Sequence, residues 1–115
     1  MKFPKAARLR RRRDFVAVQQ RGRRLHSGDV IVLVLPSGGT GPRLGITVSS
    51  KVGNAVARNR VKRWVREAWR GVRPDLPALD LVVIARPAAV RMGLAGARKA
   101  LEAARDALRR EEGRA

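Results

Sequence analysis

The 115-residue chain contains no cysteine, which excludes disulfides and thiolate metal sites. His26 is its one histidine, so neither a histidine-based zinc site nor a catalytic triad of the Ser-His-Asp kind can be assembled. Carboxylates are scarce, with 9 Asp plus Glu against 27 Lys plus Arg. They are scattered, and no pair is spaced for general acid and base work. No apolar run approaches the roughly 18 residues needed to span a bilayer; the longest, Val30 to Leu35, is strand length. The N-terminus is basic but lacks the apolar stretch and small-residue cleavage site of a secretory signal, and reads as the mature arm of a cytoplasmic protein. These absences describe a binder rather than a catalyst.

What the chain has in excess is positive charge. A formal charge of +18 over 115 residues works against a compact state unless a polyanion neutralises it. Nucleic acid is the default partner for a folded chain of this kind, ahead of an anionic membrane surface or an acidic protein. Apolar residues make up 44%, too many for a disordered basic tail. One RNA-binding domain is expected over residues 1–115, with residues 1–13 as a flexible basic arm. Within it, Arg10 to Arg13 read as a phosphate-contacting run that orders on binding.

The densest charge lies between residues 51 and 70, where Lys51, Arg58, Arg60, Lys62, Arg63, Arg66 and Arg70 are answered by Glu67 alone. In the same stretch Val61, Trp64, Val65, Ala68 and Trp69 recur at helical spacing, so one face packs and the other meets a polyanion. Both tryptophans therefore read as core. Asn54 is placed to cap this helix, which ends near Gly71.

The remaining elements follow from patterning. Asp14 is expected to cap a helix running to Gln20, with Gly22 ending it in the left-handed conformation. Val30 to Leu35 is a strand closed by Pro36. Ser37 to Pro42 is a glycine-dense turn, and Arg43 to Ser49 is the strand returning from it, as in a hairpin. Pro74 and Pro77 mark a connection to a further strand, Leu79 to Ala85. Leu94, Ala97, Leu101, Ala104 and Leu108 form the stripe of a last helix. The class is α+β, with helices packed on a small mixed sheet.

The run Val48-Ser49-Ser50-Lys51-Val52-Gly53-Asn54-Ala55-Val56-Ala57-Arg58-Asn59-Arg60-Val61-Lys62-Arg63, followed by Arg66-Glu67-Ala68, resembles the signature of the bacterial ribonuclease P protein component, centred on its Arg-Asn-Arg motif. Arg12-Arg13-Asp14-Phe15 with Gly22 resembles the family's first helix. Val82-Val83-Ile84-Ala85-Arg86-Pro87 resembles its last strand and exit, so the likeness extends over roughly residues 8 to 110.

The resemblance implies a two-layer α/β sandwich of order α-β-β-(β)-α-β-α, with the extra short strand near Leu25 and His26. It implies a left-handed crossover for the strand–helix–strand unit from Arg43 to Ala85, where general rules give a right-handed one. It further implies a protein subunit that binds the catalytic RNA of ribonuclease P and assists removal of the 5′ leader from precursor tRNA. On this reading the RNA carries the active site, Mg2+ is the catalytic ion, held mainly by the RNA, and no membrane or obligate protein partner is involved.

Carried over residue by residue, the contacts to the catalytic RNA are Lys51, Asn54, Arg58, Asn59, Arg60, Lys62, Arg63 and Arg66. Arginine suits this because its planar fork grips phosphate with two hydrogen bonds. A leader cleft between the first helix and the sheet is expected to use Phe15 for base stacking, although Phe15 fits a core position equally well. Where the family often has further aromatics, this chain has Gln19 and Leu33, which shifts the load to Arg12, Arg13, Arg43 and Arg86. His26, with no neighbouring ligand, reads as a surface or strand-edge residue. The rival reading is a ribosomal or other structured-RNA-binding protein without a role in an enzyme. A DNA-binding helix-turn-helix is disfavoured because strands flank the basic helix.

Overall fold

The computed structural model describes residues 8, 9, 11–37, 39 and 41–112. In chain order the elements are α1 (Arg12–Arg21), β1 (Arg23–Ser27), β2 (Val30–Pro36), β3 (Arg43–Val48), α2 (Ala55–Val72), β4 (Leu79–Ala85) and α3 (Gly93–Glu112), with short 3-10 turns at Arg73–Asp75 and Pro87–Arg91. The strand expected near Leu25 and His26 is β1.

The four strands form one mixed sheet in the order β1-β2-β4-β3. β1 and β2 are antiparallel, as are β2 and β4, while β3 runs parallel to β4. The hairpin expected between β2 and β3 is therefore absent, because β4 lies between them. The reason is in the side chains: Leu79 to Val83 are buried without a break, and a strand that must be covered on both faces belongs inside a sheet. β1, whose five residues include Arg23, Arg24 and His26, takes an edge.

Register assigns two faces. Val30, Val32 and Val34 of β2 lie in line with Ala85, Val83 and Leu81 of β4, and Leu44 pairs with Leu81. These side chains meet Val61, Val65, Ala68, Trp69 and Val72 of α2 and Ala97, Leu101 and Ala104 of α3. Trp69 is fully buried and Trp64 packs at the margin of the same cluster. The opposite face presents Ile31, Leu33 and Val82, which are covered by Leu9, Val18 and Phe15. The sandwich of sheet against α2 and α3 thus carries α1 on its other side.

α1 departs from expectation at both ends. It starts ahead of Asp14, with Arg11 at the cap position and no side-chain cap bond. The Asp14 carboxylate instead points toward the guanidinium of Arg43, 3.7 Å away, while its place in the first turn still favours the helix dipole. Gly22 is extended, at φ −71° and ψ 150°, not left-handed. Its N–H closes on the Val18 carbonyl at 2.8 Å, and the chain leads straight into β1. Arg12 and Arg13 open the helix rather than belonging to an arm. Leu9 is buried and donates its N–H to the Leu44 carbonyl at 2.9 Å; residues 1–7 and Arg10 of the expected arm lie outside the described residues. α2 begins as its sequence requires, with Asn54 Oδ1 accepting the Ala57 N–H at 2.9 Å.

Candidate nucleic-acid interface

α2 is held from beneath by Val61, Val65, Ala68, Trp69 and Val72, so the rest of its circumference is presented as a rigid surface. Asn59, Arg60, Arg63 and Arg66 are exposed there, Arg58 and Lys62 are half-buried at its margins, and Lys51 and Asn54 are exposed just before it. Among the described residues no carboxylate pairs with Arg58, Arg60, Lys62, Arg63 or Arg66. The helix's one acid, Glu67, is taken by Arg70 through contacts of 2.8 and 2.9 Å. The Nε of Arg58 is buried and has no acceptor.

Acids gather elsewhere. Asp75 holds Arg105 and Arg109, at 3.4 and 3.3 Å, and Glu111 holds Arg23. On the α3 side Arg23, Arg105 and Arg109 are therefore answered by carboxylates, whereas the cations of the N-terminal half of α2 are not. Such a separation concentrates potential on one surface.

A second surface lies beside α1. Phe15 is half-buried and rests on Gly45 of β3. A cavity of about 170 Å³ opens there, lined by Arg8, Leu9, Phe15, Leu44, Gly45, Ile46, Lys62 and Arg66. Lys62 and Arg66 thus face this cavity as well as belonging to the basic helix. Leu33 is buried beneath α1 and Gln19 is exposed, so neither position supplies an aromatic. Arg12 and Arg13 line a groove along α1 with Val16, Ala17, Gln20 and Arg21.

Arg43 is already occupied. Its Nε and one terminal nitrogen donate to the two carboxylate oxygens of Asp80, each at 2.8 Å, and Asp14 lies on its other side. Its pKa is raised, chiefly by the hydrogen bond to Asp80 and further by the charges of Asp80 and Asp14, against the opposing effect of burial. Arg86, at the end of β4, donates to Nδ1 of His26 at 2.6 Å. Sequence reasoning missed both partnerships. For the first, the available signal was Asp80 itself, a lone acid inside an apolar strand, which implies a cation partner. For the second there was none, since the two residues are 60 positions apart.

Among the described residues no group of three or more His, Cys, Asp or Glu side chains could hold a metal ion. Among the described residues no helix is long and apolar enough to cross a membrane.

The sequence profile of the family described as Ribonuclease P matches residues 3–109. The ribonuclease P protein component of Desulfovibrio desulfuricans is 46% identical over 103 residues, covering 87% of this chain and 79% of the relative. The RNase P protein of Staphylococcus aureus superimposes with a TM-score of 0.77 at 34% identity, over 85% of this chain and 91% of that one. For the RNase P protein of Thermotoga maritima the TM-score is 0.73 at 38% identity, over 82% and 90%.

Proposed function

Since the chain belongs to the ribonuclease P protein family and is its protein component, we propose that it binds the catalytic RNA of ribonuclease P through α2 and the 5′ leader of precursor tRNA through the cleft beside α1. The observation that carries this is the set of five α2 cations without a carboxylate partner among the described residues, held on a helix whose other face is core. Such a surface replaces counterions along folded RNA.

Chemistry is assigned to the RNA. The protein side chains do not fit a magnesium site, as the described acids are apart or engaged with arginines, and a hard divalent cation needs several oxygen ligands. In this reading Mg2+ is bound mainly by RNA, and the protein contributes affinity and positioning. Lys51, Asn54, Arg58, Asn59, Arg60, Lys62, Arg63 and Arg66 contact the catalytic RNA, with Lys62 and Arg66 shared with the cleft. Phe15 and Arg86 serve the leader, joined by Arg12 and Arg13 where the leader passes α1. Arg43, tied to Asp80, shapes the cleft rather than gripping phosphate. The setting is the cytoplasm, and no obligate protein partner is required.

The test is reconstitution. At low magnesium the protein together with a bacterial ribonuclease P RNA should restore 5′ processing of precursor tRNA, while the protein alone should not cleave. Correctly placed cleavage by the RNA-free protein would overturn the assignment of chemistry to RNA. Preferential binding to ribosomal RNA over ribonuclease P RNA would favour the structural RNA-binding alternative.

A further inference from the structure

Arg86 is fixed by its backbone before its side chain is considered. Its N–H donates to the Asp29 carbonyl at 3.0 Å, which extends the β2–β4 ladder one step beyond Val30 and Ala85. Pro87 disfavours a helical conformation for the preceding residue, and Arg86 is accordingly extended at φ −80° and ψ 163°. By strand alternation its side chain follows Val82 and Ile84 on the α1 side of the sheet.

His26 is on that same side, since it pairs with Ile31, which pairs with Ile84. To meet His26, Arg86 must lie across the end of β2, flat over the sheet, instead of extending into solvent. Both residues are exposed, so burial does not force the contact. A guanidinium only donates. In this contact Nδ1 of His26 is therefore the acceptor.

We propose that His26 is a positioning residue for leader recognition: it holds the Arg86 guanidinium in a fixed orientation on the α1 face of the sheet, where that guanidinium grips the backbone of single-stranded RNA. This inference rests on the leader-cleft reading given above. The physical basis is preorganisation. An unrestrained arginine surrenders much rotamer freedom when it clamps a phosphate, whereas one already tied by a terminal N–H surrenders less and keeps its other donors for the ligand. From Val82, which pairs with Gly45 under Phe15, to Arg86 is about 13 Å along the strand. Arg86 and His26 do not line the cavity beside Phe15, but on the same face of the sheet they set a cationic fork beyond the aromatic, so that a leader strand lying along β4 would meet both.

The experiment uses holoenzymes reconstituted with His26→Leu, His26→Asn, Arg86→Ala and the double variant His26→Leu/Arg86→Ala, and measures binding of precursor and mature tRNA. His26→Leu should weaken precursor binding about three- to tenfold, as expected for removal of one hydrogen bond, with mature tRNA and assembly with the catalytic RNA unchanged. His26→Asn, which keeps an acceptor near the Nδ1 position, should recover most of the affinity. In the Arg86→Ala background His26→Leu should have no further effect. An additive loss there, an Asn variant as weak as the Leu variant, or an equal loss for both tRNAs would overturn the proposal. If Arg86→Ala discriminates the two tRNAs and His26→Leu does not, this inference alone falls. If Arg86→Ala fails to discriminate them, the leader-cleft reading falls with it.

Discussion

Phe15 lies directly on Gly45: a β-carbon at residue 45 would stand 2.5 Å from Cε1 and 2.7 Å from Cζ of the ring. β3 can pass so close to α1 only because residue 45 has no side chain. Gly45→Ala should therefore destabilise the protein by about 1 to 3 kcal/mol through overpacking. In a Phe15→Leu background, where the ring is gone, the same change should be considerably milder. Urea melts of both pairs measure the coupling; equal effects in the two backgrounds would mean that the ring does not press on β3.

The bond from Arg43 to Asp80 leads to a second expectation. Asp80 is 6% exposed and accepts two hydrogen bonds from Arg43, so Asp80→Ala should destabilise by about 1.5 to 3 kcal/mol, the range for hydrogen bonds to charged groups. The pH dependence has a defined sign. Because the folded pKa of Arg43 is raised, its contribution is complete below the ordinary arginine value and is lost only as pH rises through the still higher folded value. The penalty of Asp80→Ala should then be the same at about pH 6 and about pH 9. A penalty that disappears at the higher pH would contradict this.

Trp69 tests the main core. It is fully buried in the cluster shared by the sheet, α2 and α3, with Leu101 at 3% exposure in the same cluster. Trp69→Ala should destabilise by about 3 to 5 kcal/mol and Leu101→Ala by about 2 to 5 kcal/mol. The indole Nε1 is buried without a partner, so Trp69→Phe removes an unsatisfied donor along with some volume. It should be markedly milder than Trp69→Ala. Chemical denaturation of the RNA-free protein gives all three values.

Helix phases, strand positions and the basic face were legible because each is a local periodicity: Val61, Val65, Ala68 and Trp69 recur at helical spacing, and Val30 to Leu35 is continuously apolar. Asn54 as the cap of α2 is likewise a local signal. Strand order was not legible from the residues. Arg43 to Val48 follows a glycine-rich turn as a hairpin partner would, yet β4, more than thirty positions later, displaces it. Asp14 suits a helix cap by type, but α1 begins at Arg12 and Asp14 sits inside its first turn, with its carboxylate 3.7 Å from the guanidinium of Arg43, a residue distant in sequence. The cleft was hardest to read. Arg43 and Arg86 look alike as cations in the sequence, but one is paired with the Asp80 carboxylate and the other with an imidazole nitrogen of His26, and both distinctions arise from long-range contacts.

The two RNA surfaces should separate by salt dependence. Replacing Arg58, Arg60 and Arg63 with alanine removes cations that no described carboxylate answers, so binding to the catalytic RNA should weaken. The log–log salt slope should fall by roughly 0.7 to 0.9 for each phosphate that the variant no longer neutralises. Phe15→Ala carries no charge change and should leave that slope unaltered. Its effect should instead be a drop of about 1 to 3 kcal/mol in affinity for leader-bearing precursor, the range for a base–aromatic stack, with mature tRNA as the control. Because Phe15 also packs against Gly45, the variant's stability must be measured alongside. A weakening shared equally by precursor and mature tRNA would assign Phe15 to the core alone, and a salt slope unchanged in the triple arginine variant would remove α2 from the interface.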